Sequence, residues 1–219
     1  VSIILGANML FRMPLEALVL LIPALLFALS FHEFAHAWMA NRLGDSTAAR
    51  MGRLSLNPFD HLDPMGTIMI LFVGFGWAKP VPVNASNLRH PRPDMMKIAF
   101  AGPASNLLLS FLAGLAIRFL NGSSIFSDTI FIFLLYFAHI NTALAVFNML
   151  PIPPLDGSQI FSGIMIRRNP ELVMKMQQYG PQVLFGLILI GVLTNVSILW
   201  MIMGPFVNFF MSIFAGIAL

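Results

Sequence analysis

Cysteine is absent from this 219-residue chain. That excludes disulfide bridges and thiolate metal sites, leaving histidine and carboxylate as the strong metal ligands on offer. Charge is scarce as well. Asp, Glu, Lys and Arg make up 10% of the residues, where soluble domains carry about 25%. With 58% hydrophobic residues and a mean hydropathy of +0.85, the chain is expected to be a polytopic membrane protein. The net charge of +3 does not read as a nucleic-acid surface, because the cations gather in loops between apolar runs. No Pro/Ser linker, internal repeat or low-complexity tract divides the sequence, so residues 1–219 are expected to form a single membrane-embedded domain. The first residues lack the basic, short-apolar, small-residue order of a cleavable signal, and the first apolar run is expected to remain as a spanning helix.

Crossing a hydrocarbon core of about 30 Å takes roughly 20 helical residues. Runs at about 14–41, 96–120, 128–149 and 197–217 are long enough. A fifth, 180–194, becomes long enough when extended by the amphipathic stretch 171–179. The expected fold class is therefore all-α and polytopic, with about five transmembrane helices. The segment 65–77 is short and broken by glycine, and is expected to be re-entrant or interfacial. Residues 79–84 hold Pro80 and Pro82, which restrict their neighbours to extended geometry, so a short extended segment should follow.

Orientation follows from the cations. Ten of the twelve Lys and Arg residues lie in 42–64, 79–97 and 156–180, all on one side if five helices cross and 65–77 turns back. The positive-inside rule makes that side cytoplasmic. The protein is thus expected in the cell membrane with its N-terminus outside and its C-terminus in the cytoplasm.

The most informative residues are His32-Glu33-Phe34-Ala35-His36, inside the first apolar run. On a helix the i,i+4 spacing brings both imidazoles to one face, where they can grip one Zn²⁺, and Glu33 sits one residue round from the first ligand. Polar groups in such a run are costly if they face lipid, so a partner, a cavity or a metal is expected. A catalytic zinc needs a third protein ligand. The best candidate is Asp156, after the break at Pro151, Pro153 and Pro154, where helix cannot continue. A solvated helix cap is the alternative reading of Asp156. Asp45, Asp60, Asp63, Asp94 and Glu171 also lie on the cytoplasmic side, and are more simply read as solvated loop groups. Gly102 and Asn106, one turn apart, suit close helix packing with a bonded amide, and substrate contact by Asn106 is the lesser reading. His139 and Asn141 read as bundle-facing polar groups, and His61 and His90 as solvated.

The HExxH motif, Gly52-Arg53-Leu54-Ser55-Leu56-Asn57-Pro58, Ala101-Gly102-Pro103-Ala104-Ser105-Asn106 and the run from Phe147 to Gly157 together resemble the site-2 protease family of intramembrane zinc metalloproteases. The likeness covers roughly residues 15–165. It implies that His32, His36 and Asp156 hold one zinc ion and that Glu33 activates the attacking water. It further implies that Asn148 positions substrate backbone or stabilises the oxyanion. The catalytic core would be about 14–165, followed by C-terminal helices over 171–217, without the PDZ or CBS module of larger relatives. The partners implied are the lipid bilayer and a transmembrane protein or peptide, cut in the cytoplasmic half of the membrane. A metal-ion transporter, with ligand sets spread across the membrane, and a non-catalytic scaffold for membrane helices are the rival readings.

Overall fold

A computed structural model describes residues 14–73, 76–120, 127–194 and 196–217. Among them five helices are long and apolar enough to cross a membrane: α1 (Leu15–Arg42), α5 (Pro91–Leu120), α6 (Asp128–Asn148), α8 (Pro170–Thr194) and α9 (Ile198–Ala215). Shorter helices are α2 (Thr47–Arg50), α3 (Pro58–His61), α4 (Pro64–Val73) and α7 (Asp156–Met165). The described residues contain no β-strand.

Helix boundaries follow local chemistry. Helix α5 begins five residues before the expected start at 96, because Pro91 supplies a preset φ at its first position. Asp94 reaches back to accept from the His90 N–H at 3.0 Å, which satisfies a donor at the entry to the helix. Ser127 caps α6, Asn169 caps α8 and Ser197 caps α9 through their side-chain oxygens. The amphipathic stretch and the short fifth run merge into α8, as its length requires.

Helix α4 covers most of the segment expected to be re-entrant or interfacial. Ten residues of helix cover about 15 Å, half a hydrocarbon core. Its flanks meet, for Leu62 pairs with Ala78 in an isolated antiparallel bridge and Lys79 N donates to His61 O at 2.8 Å. The two flanks of α4 therefore lie side by side. Beyond it the chain is extended, with Asn84 at φ −101° and ψ 103°.

Helix α5 is the centre of the bundle and packs on α1, α6, α7 and α9. One core joins Ala113 and Ile117 of α5 to Ala138 of α6 and to Val207 and Met211 of α9. A second joins Leu21, Ala24 and Ala28 of α1 to Ile140 of α6. Alanine recurs in these seams because, between lipid-bathed helices, close approach supplies the packing energy.

Three residues read as solvated prove buried. Asp45 is fully enclosed, bonded by Thr47, Asn84 and Asn87. Asp94 is enclosed by its own helix entry and Lys97. His61 is covered by the returning chain, with Nε2 2.7 Å from Ser55 O. His90 is exposed, as expected.

Candidate metal centre

Helix α1 carries His32, Glu33 and His36, and α7 brings Asp156 to them. The break expected at the prolines occurs: α6 stops at Asn148, and the chain turns before α7 starts at Asp156 itself. His32 Nε2 lies 3.0 Å from Asp156 Oδ2, His36 Nε2 lies 3.3 Å from the same oxygen, and the two Nε2 atoms are 3.0 Å apart. Both imidazoles are buried.

The opposite ring nitrogens fix the tautomers. His36 Nδ1 lies 2.7 Å from Ile98 O, and a carbonyl can only accept, so Nδ1 carries the proton. His32 Nδ1 lies 2.6 Å from Asn106 Oδ1. The Asn106 amide nitrogen is occupied by Ala28 O at 3.1 Å and Asn141 Oδ1 at 2.8 Å. Asn141 in turn donates to Phe137 O, which fixes the direction of the whole relay. In their neutral forms both histidines therefore turn an Nε2 lone pair toward the same carboxylate.

Three electron-pair donors at 3.0–3.3 Å repel one another unless a cation lies between them. A tetrahedral divalent ion with bonds of about 2.0–2.1 Å has ligand–ligand edges of about 3.3 Å. The donor set fits such an ion in type, number and spacing. Gly102 of α5 completes the cradle. A Cβ there would lie 2.6 Å from His32 Cε1 and Nε2 and would strike His36 Nε2. Only glycine lets α5 lie this close to both rings.

The other residues singled out in the sequence are distributed as follows. Glu33 Oε2 accepts from the Val81 N–H at 3.2 Å, which brings the extended segment beside the centre. Asn106 is fully buried behind His32 with both ends of its amide engaged, so it orients that ring. Asn148 ends α6, half-buried, and its amide donates to Leu144 O at 3.0 Å. His139 is buried beside the Trp200 ring, with centroids 5.8 Å apart. Among the described residues, one group of three or more His, Asp or Glu donors could hold a metal, and it is this one. The ligand ladder expected of a transporter does not form among them. Sequence reasoning missed the contact of Glu33 with Val81 and the burial of Asp45. The signal for the former was the extended Val/Pro run, and for the latter there was none.

The fold and this centre define a multi-pass membrane protein built around a buried His–His–Asp donor set with an adjoining glutamate. The family model described as peptidase family M50 matches residues 118–191, which span α6, the proline break and Asp156. The chain is 38% identical over 172 residues to "Putative zinc metalloprotease YwhC" of Bacillus subtilis, covering 76% of this chain and 78% of that protein. It is 31% identical over 160 residues to "Putative zinc metalloprotease Rip2" of Mycolicibacterium smegmatis, covering 70% and 59%. It is 34% identical over 131 residues to "Putative zinc metalloprotease MJ0611" of Methanocaldococcus jannaschii, covering 59% and 62%. The chain thus spans less than two thirds of the latter two. No solved structure matches it significantly. The chain belongs to peptidase family M50 and is a membrane metalloprotease.

Proposed function

We propose that the protein is a zinc metalloendopeptidase that hydrolyses peptide bonds in or beside the transmembrane segment of membrane-protein substrates, in regulated intramembrane proteolysis. The observation that carries this reading is the convergence of His32 Nε2, His36 Nε2 and Asp156 Oδ2 at 3.0–3.3 Å, with Glu33 on the same helix. Zinc bound there supplies a Lewis acid that polarises a carbonyl and makes water nucleophilic near neutral pH. The chain's own residues do the rest. His32 and His36 present lone pairs because Asn106 and Ile98 hold their other nitrogens protonated. Glu33, within the helix yet outside the ligand set, takes the proton of the attacking water and returns it to the leaving amine.

A transmembrane substrate must unwind before its carbonyls can be attacked, and each backbone group left unpaired in hydrocarbon costs several kcal/mol. The segment 79–84 suits the task of replacing those bonds, because it is extended and passes Glu33 at Val81. Asn148, at the last position of α6, is the candidate for holding the substrate backbone or the oxyanion. The distribution of Lys and Arg supports an active site in the cytoplasmic half, with the N-terminus outside and the C-terminus inside.

The test pairs metal analysis of the purified chain with cleavage of single-pass peptides in vesicles, by wild type and by Glu33→Gln. We expect about one zinc per chain in both and cleavage by wild type alone. Cleavage retained in Glu33→Gln, or a wild type that holds no zinc, overturns the reading. Cysteines placed at Val81 and Val83 should crosslink to bound substrate. Adducts elsewhere in the cleft but not there would remove the segment from the mechanism.

A further inference from the structure

Asp45 has no part in the metal centre, yet it is fully buried and joins its own loop, at Thr47, to the segment around Asn84 and Asn87. Its Oδ1 accepts from Thr47 N at 3.1 Å, Thr47 Oγ1 at 2.5 Å and Asn87 Nδ2 at 2.8 Å. Its Oδ2 accepts from the backbone N–H of Asn84 at 2.7 Å. Burying a carboxylate is expensive unless every lone pair is used, and here four donors use them.

The backbone under this carboxylate is rigid. Helix α1 ends in a Schellman turn: Gly44 takes φ 109°, its N–H reaches Asn41 O at 3.2 Å, and Asp45 N reaches Ala40 O at 2.9 Å. A side chain at residue 44 would be strained by that φ and would crowd Asn87 O at 3.2 Å. Asp45 is therefore folded back level with Ala40 and moves as part of α1.

The extended segment is thus held by two carboxylates of one rigid element, Val81 N–H on Glu33 and Asn84 N–H on Asp45. The spacings agree. From Glu33 to Ala40 the helix rises about 10 Å at 1.5 Å per residue. From Val81 to Asn84 an extended chain covers about the same distance at roughly 3.3 Å per residue. The prolines at 80 and 82 suit a segment whose N–H groups bond at residues 81 and 84, since neither of those positions loses a donor. At the far end Lys79 is anchored through its N–H to His61 O and its carbonyl to the buried Arg53.

We infer that Asp45 is a positioning residue: it fixes the register of residues 81–84 along α1, and so holds the Val81 N–H against the carboxylate of Glu33. The orientation of the base and the placement of the segment proposed to receive substrate are then one mechanical unit. In its kinetic consequence, this inference rests on the peptidase reading. In its structural consequence it does not.

The test uses the full chain in detergent micelles and reads hydrogen–deuterium exchange at the amides of Val81 and Asn84. Asp45→Asn keeps the shape but turns an amide N–H₂ toward the Asn84 N–H. Both amides should then exchange more than about tenfold faster, although Asp45 does not touch Val81. Asp94→Asn removes a different buried carboxylate, and should leave both rates unchanged. Asn84→Pro deletes the same contact from the other side and should speed Val81 alike, which covers the case of an Asp45 variant that does not fold. In vesicles, Asp45→Asn should lower kcat about tenfold with zinc per chain unchanged. Unchanged exchange at Val81 in both variants overturns the inference, as does faster exchange with undiminished kcat. A wild type that cleaves nothing counts against the peptidase reading alone, and the exchange arm still decides the clamp.

Discussion

Asn106 Oδ1 stands 2.6 Å from His32 Nδ1, joining two residues 74 positions apart at the contact of α1 with α5. The bond selects the tautomer that leaves Nε2 free, and the amide's other end is locked by Ala28 and Asn141. Replacing Asn106 with Leu, close to it in volume, should lower metal affinity about 10–100-fold while the helices remain assembled. Competition against a chelator of known strength measures the loss, and unchanged affinity would remove Asn106 from the support of His32.

Gly102→Ala adds one carbon against both imidazole rings. The expected result is a folded protein that has lost most of its metal, because the methyl group occupies the approach between His32 and His36. Metal content by mass spectrometry and helicity by circular dichroism separate this from unfolding.

Glu33→Gln keeps the proposed ligands and removes the proposed base. Zinc content should match that of wild type while the cleavage rate falls about a hundred- to ten-thousand-fold, the usual worth of a positioned general base.

The pH dependence of stability should carry the mark of Asp45. Burial pushes its carboxyl up in pKa, but hydrogen bonds from Thr47, Asn87 and Asn84 outweigh this and lower it below the ordinary aspartate range. Its stabilising contribution is then complete above the unfolded value of about 3.9 and is lost as pH falls through the lower folded value. Thermal unfolding of wild type and Asp45→Asn should differ most at neutral pH, by about 1–3 kcal/mol, and the two curves should converge in acid.

Much of this arrangement was legible in the sequence, because hydrophobic length and helical periodicity are local properties. The five spans, the break at Pro151–Pro154 and the shared face of His32 and His36 all follow from residues close in the chain. What escaped were contacts between distant residues. Asp45 and His61 sit in polar loops and read as hydrated. Residues 79–87 come back to both, Asn84 and Asn87 bonding the Asp45 carboxylate and Lys79 the His61 carbonyl. Asn106 read as a packing amide with substrate contact as the lesser option. Its true neighbour could be found only by laying α5 against α1 in the right register.

His32 and Asp156 are separated by 124 positions, and a cation gripped by both would clasp the first long helix to a short one late in the chain. Such a clasp closes a large loop, and its entropic benefit grows with the length enclosed. Stripping a bound ion with a chelator should therefore loosen the approach of Asp156 to His32 and His36 without melting α1 or α7, and a metal held there would staple two distant parts of the chain besides serving the proposed chemistry.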